Sequence, residues 1–263
     1  MSKRFCFIGD SHVGALRLAI IEDEASAFAG DMDIFGVRGE GLRRTMVNGR
    51  RLTSRDEEVR KSFALTGGAE SIDLDGYEAF CVVGGGTGLH AGLGICGTCS
   101  TSALALPGRQ LVSQELMDLM LHTRLRRSIA HRIIEILVRE TGKPVYLITN
   151  PRLARPVITR PQGAQLKEMH ELGVIDDFAG WLYGGMETVF APKATILAQP
   201  ASTRSGPCFT KPEFTLGSRR LAADAEEHPK WDFAHMNAAY GREVLKAFFA
   251  AVESNPPLRA AAV

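Results

Sequence analysis

RFCFIGDSHVGALRL, Arg4 to Leu18, is the stretch on which the reading of the fold turns. Phe5 to Ile8 is an unbroken apolar run that stops at Gly9-Asp10-Ser11-His12. The pattern that follows places Val13, Leu16 and Ile20 on one face. This succession predicts a buried strand, a tight turn and the start of a helix. Such a turn lifts one hydroxyl to the carboxyl edge of a sheet. The helix N-terminus behind it has free N–H groups that suit a developing negative charge. Ser11 is then either a nucleophile or an ordinary helix cap, a role serine often fills. The stretch alone leaves both open.

Outward from it, apolar runs ending in turn residues recur. A second strand is expected from Asp31 to Val37, stopped by Arg38-Gly39-Glu40-Gly41, and a third from Ala79 to Val83, emptying into Gly84-Gly85-Gly86-Thr87-Gly88. Val145 to Thr149, stopped by Asn150-Pro151, and the short run Ala194 to Ala198 supply a fourth and a fifth. Helical periodicity covers about 13–28, Ser113 to Thr141, about 162–173, 176–190 and His235 to Val252. In the second of these, Ser113 serves as N-cap and Gly142 follows the end. Arg51-Leu52-Thr53 and Phe63-Ala64-Leu65 are expected to pair as a hairpin around SRDEEVRK. Residues 84–108 and 199–230 look irregular, and Glu253 to Val263 looks like a frayed tail.

Strands alternating with helices argue for an α/β fold, a three-layer α/β/α sandwich on a mostly parallel five-stranded sheet, with 1–263 as a single domain. Sites in such sheets lie outside the carboxyl ends of the strands. Gly9–His12, Val37–Gly41, Gly84–Gly88 and Thr149–Pro151 are therefore expected to converge on one crevice.

Composition excludes several classes. Thirty-one basic against thirty acidic residues give a formal charge of +1, which offers no argument for nucleic acid or membrane partners. No apolar run approaches the roughly 18–20 residues that span a bilayer. Strand-like sequence from Phe5 leaves no room for a secretion signal, so the chain reads as cytoplasmic. Five cysteines are an odd number in a long chain and read as structural or incidental. The Cys96/Cys99 pair has no second pair to complete a zinc site, and no metal or organic cofactor is implied. Gly92 to Gly97 spells GxGxxG but neither directly follows a strand nor opens a clear helix, which argues against a dinucleotide site. Val13 stands where a G-x-S-x-G elbow needs glycine.

A nucleophilic Ser11 needs a base. Of the seven histidines, His122 and His131 lie inside the long helical pattern, and the side chain of His12 is expected to diverge from its neighbour Ser11. His235 comes with Asp232 in WDFAHMN, where two polar side chains three apart across a turn can face each other. Asp232 orienting one imidazole nitrogen while the other faces Ser11 would follow Ser-His-Asp logic. The bland alternative makes Asp232 the N-cap of the last helix and His235 a first-turn residue.

These blocks resemble the SGNH or GDSL-type hydrolases. Gly9-Asp10-Ser11 stands as that family's first block, Val37-Arg38-Gly39-Glu40 is similar to its second, and Asp232-x-x-His235 is similar to its last, with HMNAAYG continuing the likeness. The resemblance implies a flavodoxin-like hydrolase fold, catalytic Ser11, Asp232 and His235, and an oxyanion hole from the N–H groups of Ser11 and Gly39. The third block departs: the family carries Gly-x-Asn-Asp, and this chain has Gly84-Gly85-Gly86-Thr87. Losing one oxyanion donor typically costs about 100- to 1,000-fold in turnover, so either the N–H of Gly86 or a side chain from 87–102 is expected to substitute. Asp10, His12, Arg38, Thr87 and His90 are candidate pocket residues. Arg38, Arg43, Arg44, Arg152 and Arg155 would favour an anionic substrate if they line the crevice rather than a solvated face. The expected partner is a small-molecule or saccharide ester, and the expected activity is ester hydrolysis. Some family members that acetylate sugars also relax the third block. O-acyl transfer to a saccharide and a non-catalytic binding role are therefore the alternatives. The oligomeric state is unreadable.

Overall fold

A computed structural model describes residues 4–22, 31–221 and 226–254. Five strands, β1 (Arg4–Gly9), β2 (Asp31–Gly36), β3 (Ala79–Val83), β4 (Val145–Ile148) and β5 (Thr195–Leu197), form one sheet in the order β5-β4-β3-β1-β2. Every pairing in it is parallel. This is the doubly wound order in which the chain reverses direction between β1 and β3. The register decides where chemistry can happen. Gly36 pairs with Gly9, Gly9 with Val83, Val83 with Ile148 and Ile148 with Leu197. All five carboxyl ends therefore lie in one row, and the next few residues of each strand share an edge.

Strand periodicity divides the core in two. Phe5 and Phe7 point with Cys81, Val83, Tyr146 and Ile148 to one face, and Cys6 and Ile8 point with Phe80, Val82 and Leu147 to the other. The first face is covered by α1 (Val13–Glu22) and α8 (Ala238–Ser254), with Phe248 ringed by Phe5, Phe7 and Tyr146 at centroid distances of 5.4, 4.8 and 5.3 Å. The second is covered by α2 (Glu57–Gly67), α3 (His90–Cys96), α4 (Gln114–Arg126), α5 (Ile129–Thr141), α6 (Ala164–Glu171) and α7 (Ile175–Phe190). The result is the expected three-layer arrangement. Gly241 sets its geometry at one critical point: a Cβ there would come 2.0 Å from the Ala15 carbonyl oxygen. Only glycine lets α8 lie this close to α1, and that contact ties the end of the chain to its beginning.

Four local expectations are corrected. Phe63–Leu65 does not pair with Arg51–Thr53. The antiparallel partners are Thr45–Asn48 and Arg51–Ser54, while 57–67 is α2, opened by Asp56, whose carboxylate accepts the Glu58 N–H. The pattern had no way to show that Val59 and Phe63, four apart, are a buried helical face. The long helical pattern 113–141 is two helices, because Ser128 stops the first and caps the second by accepting the His131 N–H. The irregular 84–108 contains α3, into which Gly92–Cys96 of the GxGxxG string is wound. The closing helix starts at Ala238, after Asn237, whose side chain accepts the Tyr240 N–H. The expected extension of the first helix beyond Glu22 and the tail beyond Ser254 lie outside the described residues.

Candidate active site

The turn after β1 is held from two sides. Asp10 donates its N–H to the Val83 carbonyl, and its own carboxylate accepts the His12 N–H at 3.1 Å and the Gly85 N–H at 2.8 Å. Asp10 therefore laces the β1 end to the β3 end instead of facing a ligand. Ser11 is left with its hydroxyl directed elsewhere: Oγ lies 2.9 Å from His235 Nε2. The cap reading of Ser11 has no hydrogen bond among the described residues to support it.

Asp232 and His235 reach the same point from the other end of the chain. Asp232 does not cap α8. Its Oδ1 accepts the N–H groups of Ala234 and His235, both at 2.9 Å, folding 232–235 into a tight turn. Oδ2 then meets His235 Nδ1 at 2.8 Å. Burial disfavours the charged carboxylate, but the hydrogen bonds from the His235 ring and from these two amides outweigh it. The group is held well below the ordinary carboxylate range. A hydroxyl, an imidazole and an ionised carboxylate in this order can move a proton from oxygen to nitrogen and stabilise the resulting imidazolium.

Two exposed glycines follow the carboxyl ends of the strands on either side of β1. Gly39 sits just beyond β2 with φ +57°, and Gly86 just beyond β3 with φ +89°, both exposed. Among the described residues the N–H groups of Ser11, Gly39 and Gly86 donate to no protein acceptor. Asn150, following β4, was missed by sequence reasoning. Its Oδ1 accepts the Thr87 N–H at 2.8 Å, and the Thr87 hydroxyl donates to the Gly84 carbonyl. Thr87 and Asn150 thus buttress the glycine run. Their pairing joins residues 63 positions apart, and no local pattern signals it.

The remaining candidates divide. The ring of His12 lies 5.3 Å from that of His235, so it does not point away from the site as expected, although it is not the partner of Ser11. Its pKa is lowered, chiefly by burial. Thr87 is buried behind the glycines and not in a pocket. His90 is exposed at the start of α3. Arg38 is exposed beside Gly39 and close enough to His228 to disfavour its protonation. Arg43 donates to the Arg127 carbonyl and pairs with Glu40, Arg44 pairs with Asp56, and Arg152 is buried with its Nε donating to the Tyr183 hydroxyl. Arg43 and Arg44 thus hold surface pairs, and only Arg152 is shut inside the protein. All five cysteines are buried and unpaired in disulfides, and burial pushes Cys96 and Cys208 up to about 12. His228, Asp232 and His235 bring potential metal-ligating atoms together. Both imidazoles direct Nδ1 at one oxygen of that carboxylate, with their rings face to face.

No protein-family model matches the chain, and no curated protein does. Several solved structures resemble it, two of them as follows. An extracellular lipase from Streptomyces rimosus is 9% identical with a TM-score of 0.48, over 95% of this chain and 100% of that one. A catalytic mutant of an acetylxylan esterase from Geobacillus stearothermophilus is 11% identical with a TM-score of 0.38, over 95% and 94%. Likenesses this distant carry no argument about chemistry, which rests on the geometry above.

Proposed function

We propose that this chain hydrolyses carboxylic esters through an acyl-enzyme on Ser11, in the manner of the SGNH or GDSL-type hydrolases that its blocks resemble. The observation that carries the reading is the hydrogen-bonded path from Ser11 Oγ through His235 to Asp232, at 2.9 and 2.8 Å, between residues 224 positions apart.

The Ser11 hydroxyl attacks the ester carbonyl while His235 Nε2 takes its proton. Asp232 holds Nδ1–H and stabilises the imidazolium that forms. The N–H groups of Ser11, Gly39 and Gly86 receive the oxyanion, Gly86 standing in for the absent block-three asparagine. His235 then returns the proton to the departing alcohol. Water, deprotonated by the same imidazole, releases the acid and restores Ser11. O-acetyl groups on a sugar or another small polar alcohol are the substrates we favour.

A fluorophosphonate probe tests the reading directly. The wild type is expected to label stoichiometrically and Ser11→Ala not at all, with ester turnover falling in parallel across a panel of short-chain esters. Equal labelling of the two proteins would overturn the assignment. Adding a saccharide acceptor separates hydrolysis from acyl transfer, since predominant formation of acylated product instead of free acid would replace the hydrolase reading.

A further inference from the structure

Asp232 carries a second imidazole that the reaction above does not use. His228, four residues earlier, places Nδ1 3.1 Å from the same Oδ2 that meets His235. The two rings stack almost parallel, with centroids 4.0 Å apart and planes 6° from each other. Side-chain exposure falls from 24% at His235 through 15% at Asp232 to 11% at His228. His228 is thus the deeper ring, and His235 alone meets the serine. Its backbone is anchored, because the His228 N–H donates to the buried Ser218 carbonyl at 2.8 Å.

We propose that His228 is a positioning residue of this site, which fills half of the acceptor capacity of Asp232 Oδ2 and fixes the ring plane of His235 by backing it. The inference rests on the ester-hydrolase reading of Ser11, His235 and Asp232. Its logic is a count of donors. The Asp232 carboxylate takes two amide N–H groups on Oδ1 and, with both imidazoles donating from Nδ1, two ring N–H groups on Oδ2. An ionised carboxylate offers about four acceptor sites, so every one is filled.

For His228 to donate from Nδ1 while neutral, Nε2 must carry the lone pair, and Nε2 is buried without a partner. Protonating it would bury an unpaired N–H, so this ring stays neutral. Burial depresses its pKa first, followed by the neighbouring His235, with Arg220 and Arg38 acting in the same direction and Asp232 opposing them. Among the described residues, His12, from the β1 turn, and Asp10 are further ionisable groups near the two stacked rings. A neutral aromatic face at 4.0 Å is a favourable neighbour for the imidazolium formed when Ser11 attacks. The shared oxygen meanwhile keeps Asp232 from binding the His235 Nδ1–H as strongly as it would alone.

Two substitutions separate donor from ring. His228→Phe keeps a stacking face and removes the Nδ1 donor, while His228→Asn keeps a donor at the Nδ1 position and removes most of the ring. With the donor gone, Asp232 pulls harder on the His235 Nδ1–H. The acid limb of kcat/KM in His228→Phe is then expected to move up by about 1 pH unit, the scale of one charge-assisted hydrogen bond redistributed. His228→Asn is expected to leave the limb in place and to lower kcat about 10-fold through a less well held ring. A readout independent of turnover is the downfield Nδ1–H proton resonance of His235 in a Ser11→Ala background. It should move further downfield in His228→Phe and not in His228→Asn. If both variants leave the limb and the resonance where the wild type has them, His228 only fills space and the proposal fails. If the resonance responds as expected while ester turnover by the protein with Ser11 intact proves no greater than that of Ser11→Ala, the positioning inference stands and the ester-hydrolase reading is the one that falls.

Discussion

Replacing Gly85 by alanine tests how the glycine edge beyond β3 is built. Gly84, Gly85 and Gly86 all have positive φ, at 74°, 68° and 89°, yet their surroundings differ. A Cβ on Gly85 would lie 2.7 Å from the Ala130 backbone nitrogen and 3.1 Å from its Cα, in the first turn of α5. Those atoms cannot swing aside, because the Ala130 N–H donates to the Gly85 carbonyl at 3.0 Å. A Cβ on Gly86 would meet nothing nearer than Ser128 Cβ at 3.6 Å, an ordinary contact. Both substitutions incur about 1 kcal/mol or more for a non-glycine residue at positive φ. Both regain about 0.4–1 kcal/mol from the stiffer unfolded chain. Gly85→Ala adds overpacking of about 1–3 kcal/mol, so its net loss should be about 1–4 kcal/mol against about 1 or less for Gly86→Ala. Urea unfolding measures the difference. Gly86→Ala keeps its N–H and should retain most turnover, whereas Gly85→Ala displaces the Asp10 lacing and should lose turnover even where it is folded. If the two variants unfold within about 0.5 kcal/mol of each other, the range of an ordinary surface change, then the close packing against α5 does not constrain this loop.

Two further outcomes follow from the same geometry. Asp232→Asn should lower turnover about 1,000- to 10,000-fold, because the imidazole loses the partner that fixes its tautomer. Its stability deficit should depend on pH with a definite sign. A carboxylate depressed in the folded state contributes fully above its unfolded value near 4 and loses that contribution as pH falls through the folded value. The gap to the wild type in chemical denaturation should therefore be widest at neutral pH and narrow toward pH 2; a gap that widens on acidification would contradict the carboxylate's ionised state. The cysteines give a simple control. With Cys96 and Cys208 at about 12 and all five thiols buried, iodoacetamide at pH 7.5 should modify none in the native protein and all five after denaturation. Rapid native labelling of any one would show that its segment opens.

Local chemistry made much of this protein readable. Phe5–Ile8, Ala79–Val83 and Val145–Ile148 are buried on both faces, so their unbroken apolar runs point to a parallel sheet whatever the rest of the chain does. Gly9-Asp10-Ser11 marked a turn, and Asp232-x-x-His235 a polar pair, because residues this close in sequence constrain each other directly. Elements whose apolar face is sparse or interrupted were harder to read. α2 has two buried side chains in 11 residues, and the break at Ser128 falls between two patterns that continue each other in period.

Tertiary structure alone decided what the polar residues do. Ser11 could equally have capped α1. Its role follows from α8 docking on α1 across Gly241, which brings His235 within hydrogen-bond reach of a residue 224 positions away. Asp10 reads as a site residue but spends its charge on two backbone N–H groups. Thr87 reads as pocket lining but is buried against Asn150. His228 carries no motif, and only the tertiary fold sets its ring on His235. The physical reason is range. Helix, strand and turn preferences act over a few residues, whereas a hydrogen bond between side chains exists only once packing has fixed both ends.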